Sequence, residues 1–227
     1  MADNTKQYGW IVLLAENLDA IREDFVAGDL LWYPVEGSPK IRVAPDVLIA
    51  PGRPKGHRGS YQQWKEAGVA PSVVVEVLSP SNSLPEMTRK VRFYDQYGVD
   101  EIIVVDPEAN DGWAHARDPN GRLVQTQGLD GWQSPRLGIR FERQGGELFV
   151  RGPDGQRFER LVAHRERAER AEREAQLETE RAERAEREAQ LETERAERAE
   201  REAQREAARA AKLAAKLAEL GIDPDTL

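Results

Sequence analysis

The sequence predicts an α/β (α+β) domain built on a mixed central sheet with flanking helices, followed by one long C-terminal helix. Strand and helix patterns alternate through residues 1–159, which hold all five Trp residues of the chain. Two short β-branched runs, 73–78 and 100–106, are typical of strands buried on both faces. From residue 160 onward Arg, Glu, Ala and Gln dominate. We therefore divide the chain into a globular domain, 1–159, and a helical segment, 160–227.

The first part of the domain predicts a helix, a hairpin and a second, short helix. Apolar residues at helical spacing predict a helix over 9–25. The segments 28–35 and 41–52 flank the turn-rich sequence EGSPK and predict two paired strands. Residues 53–70 predict a loop and a short helix that Gly68 ends.

The later part of the domain predicts further strands around one helix. That helix is expected from near Pro85 to Gly98, because apolar residues recur at helical spacing between a first-turn proline and a glycine stop. A buried strand over 100–107 follows. Short strand-like segments separated by Asn-Gly and Gly-Gly turns then predict an antiparallel extension of the sheet. These segments are 112–118, 122–130, 137–143 and 146–152.

The C-terminal segment predicts a nearly continuous helix over 160–220, because no Gly or Pro interrupts a run of good helix formers. The unit RAERAEREAQLETE begins at residue 167 and repeats every 14 residues, or two heptads, which favours a left-handed coiled coil. Ala168, Ala171 and Ala175 fit a coiled-coil seam, but Glu178 occupies the next seam position. A weak coiled coil and a solvated single helix are therefore both open.

The far end of this helix is more apolar than the rest and carries Leu213, Leu217 and Leu220. We expect these leucines to pair with a second copy of the chain. The resulting homodimer would join two globular domains through their helices.

Composition limits the class of protein. The net charge of −8 is not that of an avid nucleic-acid binder, although part of it fits a site that holds a cation. The absence of Cys excludes disulfides and thiolate metal sites. The apolar run 10–15 is far shorter than the ~20 residues that span a bilayer, so we expect a soluble, cytoplasmic protein with no membrane partner.

Two carboxylates stand inside apolar strands, where an unpaired charge costs several kcal/mol. Glu76 interrupts the run VVVEVL, and Asp46 follows Pro45 in VAPDVLIAP. If the two strands are neighbours, about 4.8 Å apart, both carboxylates can reach one divalent cation. Oxygen ligands without Cys or suitably spaced His favour Mg²⁺ or Mn²⁺. Lys90, on the helix that returns against the Glu76 strand, is the expected positive partner and would neutralise charge on a phosphate or position water.

Several stretches together resemble one known family. They are VAPDVLIAPG, RGSYQQWKEAGVAPSVVVEVLSPSN, RKVRFYDQYGVDEIIVVDP and the Arg/Glu/Ala-rich tail. In this order they closely resemble the restriction-endonuclease family called Uma2, which belongs to the PD-(D/E)XK nuclease superfamily. The PD and E-x-x patterns are superfamily-wide signals and each alone is weak, so the specificity of the match comes from their order.

The resemblance implies a restriction-endonuclease-like fold and magnesium-dependent hydrolysis of phosphodiester bonds, with DNA as the substrate. It maps the two carboxylates of the motif onto Asp46 and Glu76. Where the superfamily usually places lysine this chain has Leu78, and the family pattern offers Lys90 instead. The acidic residue that many members carry on their first helix would be Glu16, as a third metal ligand.

A rival interpretation is a catalytically degenerate nuclease fold that serves as a non-enzymatic interaction or oligomerisation protein. The acidic balance and Leu78 favour the rival, whereas the presence of Asp46, Glu76 and Lys90 favours the enzyme. Taken singly, each of these three residues also has an ordinary structural explanation, as a turn, a solvated sheet face or a surface lysine. Their combination favours the metal site.

Overall fold

The computed structural model describes residues 4–219, which fall into two units with a boundary between Arg165 and Glu166. The first unit holds the helices α1 (Thr5–Ile21) and α2 (Leu84–Gln96) and the strands of the fold. The strands are β1 (Phe25–Gly28), β2 (Trp32–Tyr33), β3 (Val47–Ala50), β4 (Tyr61–Gln62), β5 (Val73–Val77), β6 (Glu101–Asp106), β7 (Asp111–Arg117), β8 (Leu123–Gln125), β9 (Arg140–Gln144) and β10 (Glu147–Arg151).

Six strands form the central sheet, in the order β1-β3-β5-β6-β7-β8. The β5–β6 pair is parallel and is joined through α2, whereas the other neighbours in this sheet are antiparallel. Strands β9 and β10 form a separate hairpin, and β2 pairs with β4. The predicted mixed sheet flanked by helices is thus confirmed.

The two faces of this sheet support different layers, because successive side chains of a strand point to opposite sides. One face packs against α1 and the β9–β10 hairpin, and the other packs against α2 and the β2–β4 region. On the α1 face lie Val47, Ile49, Val73, Val75, Val77, Ile103 and Val105. On the α2 face lie Leu48, Ala50, Val74, Ile102 and Val104.

The first predicted helix and the predicted hairpin need correction. Helix α1 begins at Thr5, where the Asn4 side chain accepts a hydrogen bond from Gln7 N–H, and it ends at Ile21 instead of residue 25. Phe25 starts β1 because there it pairs with Ala50 and is buried against the neighbouring core. The predicted pairing of 28–35 with 41–52 is present in part, since Gly28 pairs with Val47 and Trp32 forms an antiparallel bridge with Val43. Most of the strand that pairs with β3 on this side is β1, which begins before residue 28.

Most of the other elements predicted for the domain are present in the structure. The short helix expected within 53–70 is a single 3₁₀ turn, Gln63–Lys65, and Gly68 follows it with a φ of +75°. The strand around Glu76, the helix before Gly98 and the strand before Pro107 are all present. The four later strands are also present, although only β7 and β8 extend the central sheet.

The long helix α3 (Leu161–Glu219) begins within the first unit, and the second unit, from Glu166 onward, holds the rest of it. The 59 residues of α3 correspond to a length of about 90 Å. Ion pairs between residues i and i+4, such as Glu183–Arg187 at 2.9 Å and Glu197–Arg201 at 2.6 Å, recur with the sequence repeat. Within the described range, every helix is too short or too polar to span a membrane.

Candidate active site

Glu76 lies near the carboxyl end of β5, on the α2 face, and its side chain is 2% exposed. Its two oxygens have different partners, both from α2. Oε2 accepts a hydrogen bond from Lys90 Nζ at 2.7 Å, and Oε1 accepts a hydrogen bond from the Tyr94 hydroxyl. Lys90 and Tyr94 are four residues apart, so one face of α2 presents both groups. The buried carboxylate therefore meets a cation from the helix and not from its own strand.

Asp46 directly precedes β3 and lies beside Glu76. The antiparallel register pairs Val47 with Val75, so continuing it by one residue puts Asp46 opposite Glu76 on the same face. Asp46 Oδ2 accepts a hydrogen bond from the Val77 N–H at 2.7 Å, which anchors the carboxylate to β5. The second oxygen, Oδ1, takes no part in that bond. The structure thus brings Asp46, Glu76 and Lys90 together, as the sequence predicted.

The pKa values of these groups are shifted by burial and by one another. Burial raises the pKa of Glu76 to about 7, with Lys90 opposing the shift and Asp46 adding to it. Burial also raises the pKa of Asp46, although the Val77 N–H and Lys90 act in the opposite direction. Burial favours neutral Lys90, but the adjacent carboxylates outweigh it and hold its pKa above the ordinary value. The cluster therefore has a positive group already in place and two carboxylates that would gain from a further cation.

The structure does not bring Glu16 into this cluster. Helix α1 covers the opposite face of the sheet, where its buried residues Ile11, Leu14 and Leu18 pack. Glu16 is not on that buried stripe, and within residues 4–219 it forms no three-carboxylate group with Asp46 and Glu76. We therefore correct the expectation that the first helix supplies the third acidic residue.

Asp29 is the acidic residue that the structure brings close to Asp46, and sequence reasoning missed it. The register of β1 and β3, continued by one residue, puts Asp29 opposite Asp46, and the Asp29 N–H donates to the Asp46 carbonyl at 3.0 Å. The negative charge of Asp29 raises the pKa of Asp46. The sequence put Asp29 in the predicted strand 28–35, paired with the segment that holds Asp46, but it did not fix the register that puts the two residues opposite each other. Among residues 4–219, no three His, Cys, Asp or Glu side chains form a group ready to hold a metal ion.

Tyr94 belongs both to the core and to this site. It is fully buried and its ring stacks on Trp32 with the centroids 6.3 Å apart, so it is indeed part of the core. Its hydroxyl, however, reaches Glu76. A tyrosine one helical turn after a lysine was the available signal.

The basic loop after β3 lies at the other end of the sheet from Asp46. Its arginine and lysine side chains bond to groups of the same domain. Arg58 pairs with Glu66 at 2.6 Å, Lys55 pairs with Asp19 at 3.3 Å, and Arg53 donates to a backbone carbonyl. These contacts stabilise the loop and give no indication of a phosphate site.

Comparisons with known proteins identify a family for this chain and one solved structure with a similar fold. A family model, Uma2, described as "Putative restriction endonuclease", matches residues 5–144, more than half of the chain. A comparison with curated proteins gave no significant match. The fold is similar to a solved structure described as a putative nuclease belonging to DUF820 from Anabaena variabilis, with 14% identity, 61% of this chain and 76% of that chain covered, and a TM-score of 0.45. That structural likeness is too distant to carry an argument, whereas the family match includes Asp46, Glu76 and Lys90.

Proposed function

This chain belongs to the Uma2 restriction-endonuclease family, and on that premise we propose that it is an endonuclease that uses Mg²⁺ or Mn²⁺ to hydrolyse phosphodiester bonds in DNA. The observation that carries the proposal is the side-by-side placement of Asp46 and Glu76 on neighbouring strands, with Lys90 bonded to Glu76 at 2.7 Å. Family membership supports a nuclease, and the residues of this cluster support the choice of metal and reaction.

The donor set of the cluster fits a hard divalent cation. Asp46 and Glu76 offer carboxylate oxygens, and burial raises the pKa of both groups, so a bound cation would offset the cost of their charges. No Cys is available in the chain. We propose that Asp46 and Glu76 hold Mg²⁺ or Mn²⁺, which when bound would polarise the phosphodiester and lower the pKa of attacking water.

The protein groups around the carboxylates would position the reacting atoms. Lys90 keeps a raised pKa, so its ammonium is charged at neutral pH and can neutralise charge that grows on a phosphate oxygen. Tyr94 holds Glu76 Oε1 in a fixed orientation, which leaves Oε2 as the oxygen shared with Lys90. The buried surroundings strengthen each of these interactions because little water screens them.

The direct test combines metal titration with DNA cleavage by the full chain. We expect cleavage with Mg²⁺ or Mn²⁺, none with a chelator, and a loss of both metal binding and cleavage in Asp46→Asn. Glu16→Gln is the matched control, because it removes an acidic residue from the opposite side of the sheet and should change neither measurement. Cleavage that survives in Asp46→Asn, or that resists chelation, would refute the proposed site.

A second candidate is a non-enzymatic interaction protein. One observation favours it: Lys90 and Tyr94 already satisfy both oxygens of Glu76, so the buried carboxylate is stable without an added ion. Full-chain protein that neither binds Mn²⁺ in titration nor cuts DNA would establish this alternative over the nuclease.

We also propose that residues 1–159 form the nuclease domain and that the helical segment 160–227 joins two copies. The Leu213 side chain is 65% exposed, as a dimer contact would require in the isolated chain. The side chain of Leu217, and Leu220 with the rest of 220–227, lie outside the described residues. Sedimentation of the full chain should give a dimer, and Leu213→Glu should shift it toward the monomer. A monomeric full chain would leave α3 as a solvated spacer.

A further inference from the structure

We propose that the groove between α2 and strands β7–β8 binds one unpaired base of the DNA strand, about three nucleotides from the scissile phosphate. The groove has a volume of about 480 Å³. Its walls include Met87, Val91 and Arg92 on α2 and Trp113, His115 and Gln125 on the strands. The inference rests on the proposed nuclease function, since it assigns a substrate contact to the same cleft.

The position of the groove follows from the strand register. Trp113 lies opposite Val104 across β6 and β7, and Val104 lies opposite Glu76 across β5 and β6. All three side chains belong to the α2 face of the sheet. Two strand spacings separate Trp113 from Glu76, or about 10 Å. At about 3.4 Å per nucleotide along a duplex strand, that distance corresponds to about three nucleotides.

The surfaces of the groove suit a flat heterocycle. Trp113 supplies an indole, and Met87 and Val91 face it from α2 as apolar groups. Aromatic side chains bind bases by stacking irrespective of sequence, because every base has a π-face. Met87 and Val91 flank Lys90 in the sequence, so a base held in this groove would be tied to the helix that carries the proposed catalytic lysine.

The groove also contains polar atoms that can meet the edge of a base. His115 Nδ1 is buried and has no hydrogen-bond partner within the described part of the chain. Burial lowers the pKa of His115, against the effect of a hydrogen bond with Gln125, so the ring is neutral near pH 7 and its Nδ1 is the nitrogen available to a base. Gln125 lies directly across from His115 on β8, and the part of its amide that does not bond His115 can also meet a base. A base would satisfy an atom that the protein alone leaves unpaired.

Charge at the rim is complementary to a phosphate backbone. Arg92 and Arg89 are both exposed on α2, and no ion pair or hydrogen bond within residues 4–219 involves either side chain. Other exposed arginines have partners within the domain, such as Arg136 with Asp100 at 2.9 Å and Arg157 over the Phe149 ring. Unpaired guanidinium groups beside an aromatic groove favour a nucleic-acid strand over an apolar peptide.

The test measures binding by the full chain in chelator, where no cleavage occurs. The probes are a short single-stranded deoxyoligonucleotide and a strand of the same length with abasic sites. The wild type should bind the base-bearing strand about 10-fold more tightly than the abasic strand. Trp113→Leu should remove this preference, whereas Arg92→Gln should weaken binding of both strands alike. Arg140→Gln is the matched charge control, because β9 packs on the other face of the sheet.

A second measurement covers the case in which Trp113→Leu does not fold. Stacking should quench part of the tryptophan emission of the wild type. Trp113→Phe should lose that change on adding oligonucleotide, and Trp64→Phe should keep it. Equal binding of the two strands by the wild type, or a base preference that survives in Trp113→Leu, would overturn the proposal. So would a Trp113→Leu variant with altered sedimentation and unaltered DNA binding, since the groove would then be a contact between copies.

The two proposals fail in different ways. Selective binding of the base-bearing strand without metal-dependent cleavage would refute the nuclease and keep the groove. Cleavage that depends on Asp46, together with no preference for bases over abasic sites, would refute the groove and keep the nuclease.

Discussion

Two glutamates are buried on adjacent parallel strands, and their surroundings differ. Glu76 is near the end of β5 on the α2 face, and Glu101 is at the start of β6, fully buried. Glu76 bonds Lys90 and Tyr94, whereas Glu101 Oε1 accepts from the Ser134 hydroxyl at 2.5 Å. Burial raises the pKa of both carboxyl groups. A buried carboxylate with a raised pKa is therefore not sufficient to identify a site.

The hydrogen-bond partners of the two carboxylates distinguish a structural glutamate from a functional one. Glu101 accepts hydrogen bonds from neutral donors, the hydroxyl of Ser134 and the backbone N–H of Arg136, which fix a loop against the sheet. The charges of Arg136 and Asp100 act on its pKa only as weaker, opposing effects. Glu76 is met by a charged lysine and faces a second carboxylate, Asp46. Like charges held together with a cation within reach are costly unless something binds there, and this is the arrangement typical of functional sites.

The largest expected difference concerns cleavage. Glu76→Gln should reduce metal-dependent DNA cleavage by at least about 100-fold, because a charge close to the reacting phosphate is lost. Glu101→Gln changes a buried glutamate in the same way but should leave the rate within about twofold, because Ser134 can still donate to the amide oxygen. Initial rates on a plasmid substrate measure both. If the two variants lost activity equally, the distinction between the two glutamates would fail.

The sequence predicted the centre of this site better than its edges. Glu76 and Asp46 were recognisable because each interrupts an apolar strand, and Lys90 because a helix follows that strand directly. These signals are local, and the β5–α2–β6 connection keeps them close in space. The strands of the sheet were likewise evident from continuous β-branched runs.

The errors involve contacts that depend on pairing between distant segments. The β1 strand was hidden because Phe25 continues the apolar spacing of the preceding helix, and only pairing with Ala50 reveals it as a strand. Without the register of β1 on β3, the predicted pairing of 28–35 with 41–52 did not single out Asp29 as the neighbour of Asp46. Glu16 was assigned to the site through family resemblance, and the layer in which α1 packs is a tertiary property that spacing along one helix does not show.

The next largest effect concerns the stability of the domain when the charged partner is removed. Lys90→Met should lower the free energy of unfolding by about 3 kcal/mol at pH 8, because Glu76 would be left as a buried charge. At pH 5 the carboxyl group takes up a proton, so the loss should be smaller. Urea unfolding followed by tryptophan fluorescence measures this, since all five Trp residues lie before residue 160. The double variant Glu76→Gln/Lys90→Met should recover part of the loss, and equal destabilisation at both pH values would contradict the ion-pair explanation.

A comparable effect concerns the pH dependence of stability. Burial raises the pKa of Glu76 from its ordinary value of 4.5 to about 7, so between these pH values the folded state holds a proton that the unfolded state releases. The contribution of this proton to the free energy of unfolding is complete below pH 4.5 and is lost as the pH rises through 7. It amounts to about 3 kcal/mol, since each pKa unit is worth about 1.4 kcal/mol. Unfolding measured from pH 4.5 to 8 without divalent ions should show the decline, and Glu76→Gln should flatten it. A decline of the same size in Glu76→Gln would assign it to other groups.

The smallest expected effect is a loss of stability when Glu101, the structural glutamate, loses its partner Ser134. Ser134→Ala removes the hydroxyl that donates to Glu101 Oε1 and accepts from the Leu137 N–H at 2.8 Å. Both partners are buried, so the free energy of unfolding should fall by about 1–3 kcal/mol. DNA cleavage and metal affinity should be unchanged, because Ser134 and Glu101 serve the loop on the α1 side of the sheet. Ser134→Thr, which keeps the hydroxyl, should retain more of the stability than Ser134→Ala. Metal affinity should be measured at a temperature where the Ser134→Ala domain stays folded. A lower affinity there would show that the two buried glutamates are coupled, which would contradict the division between a structural and a functional carboxylate.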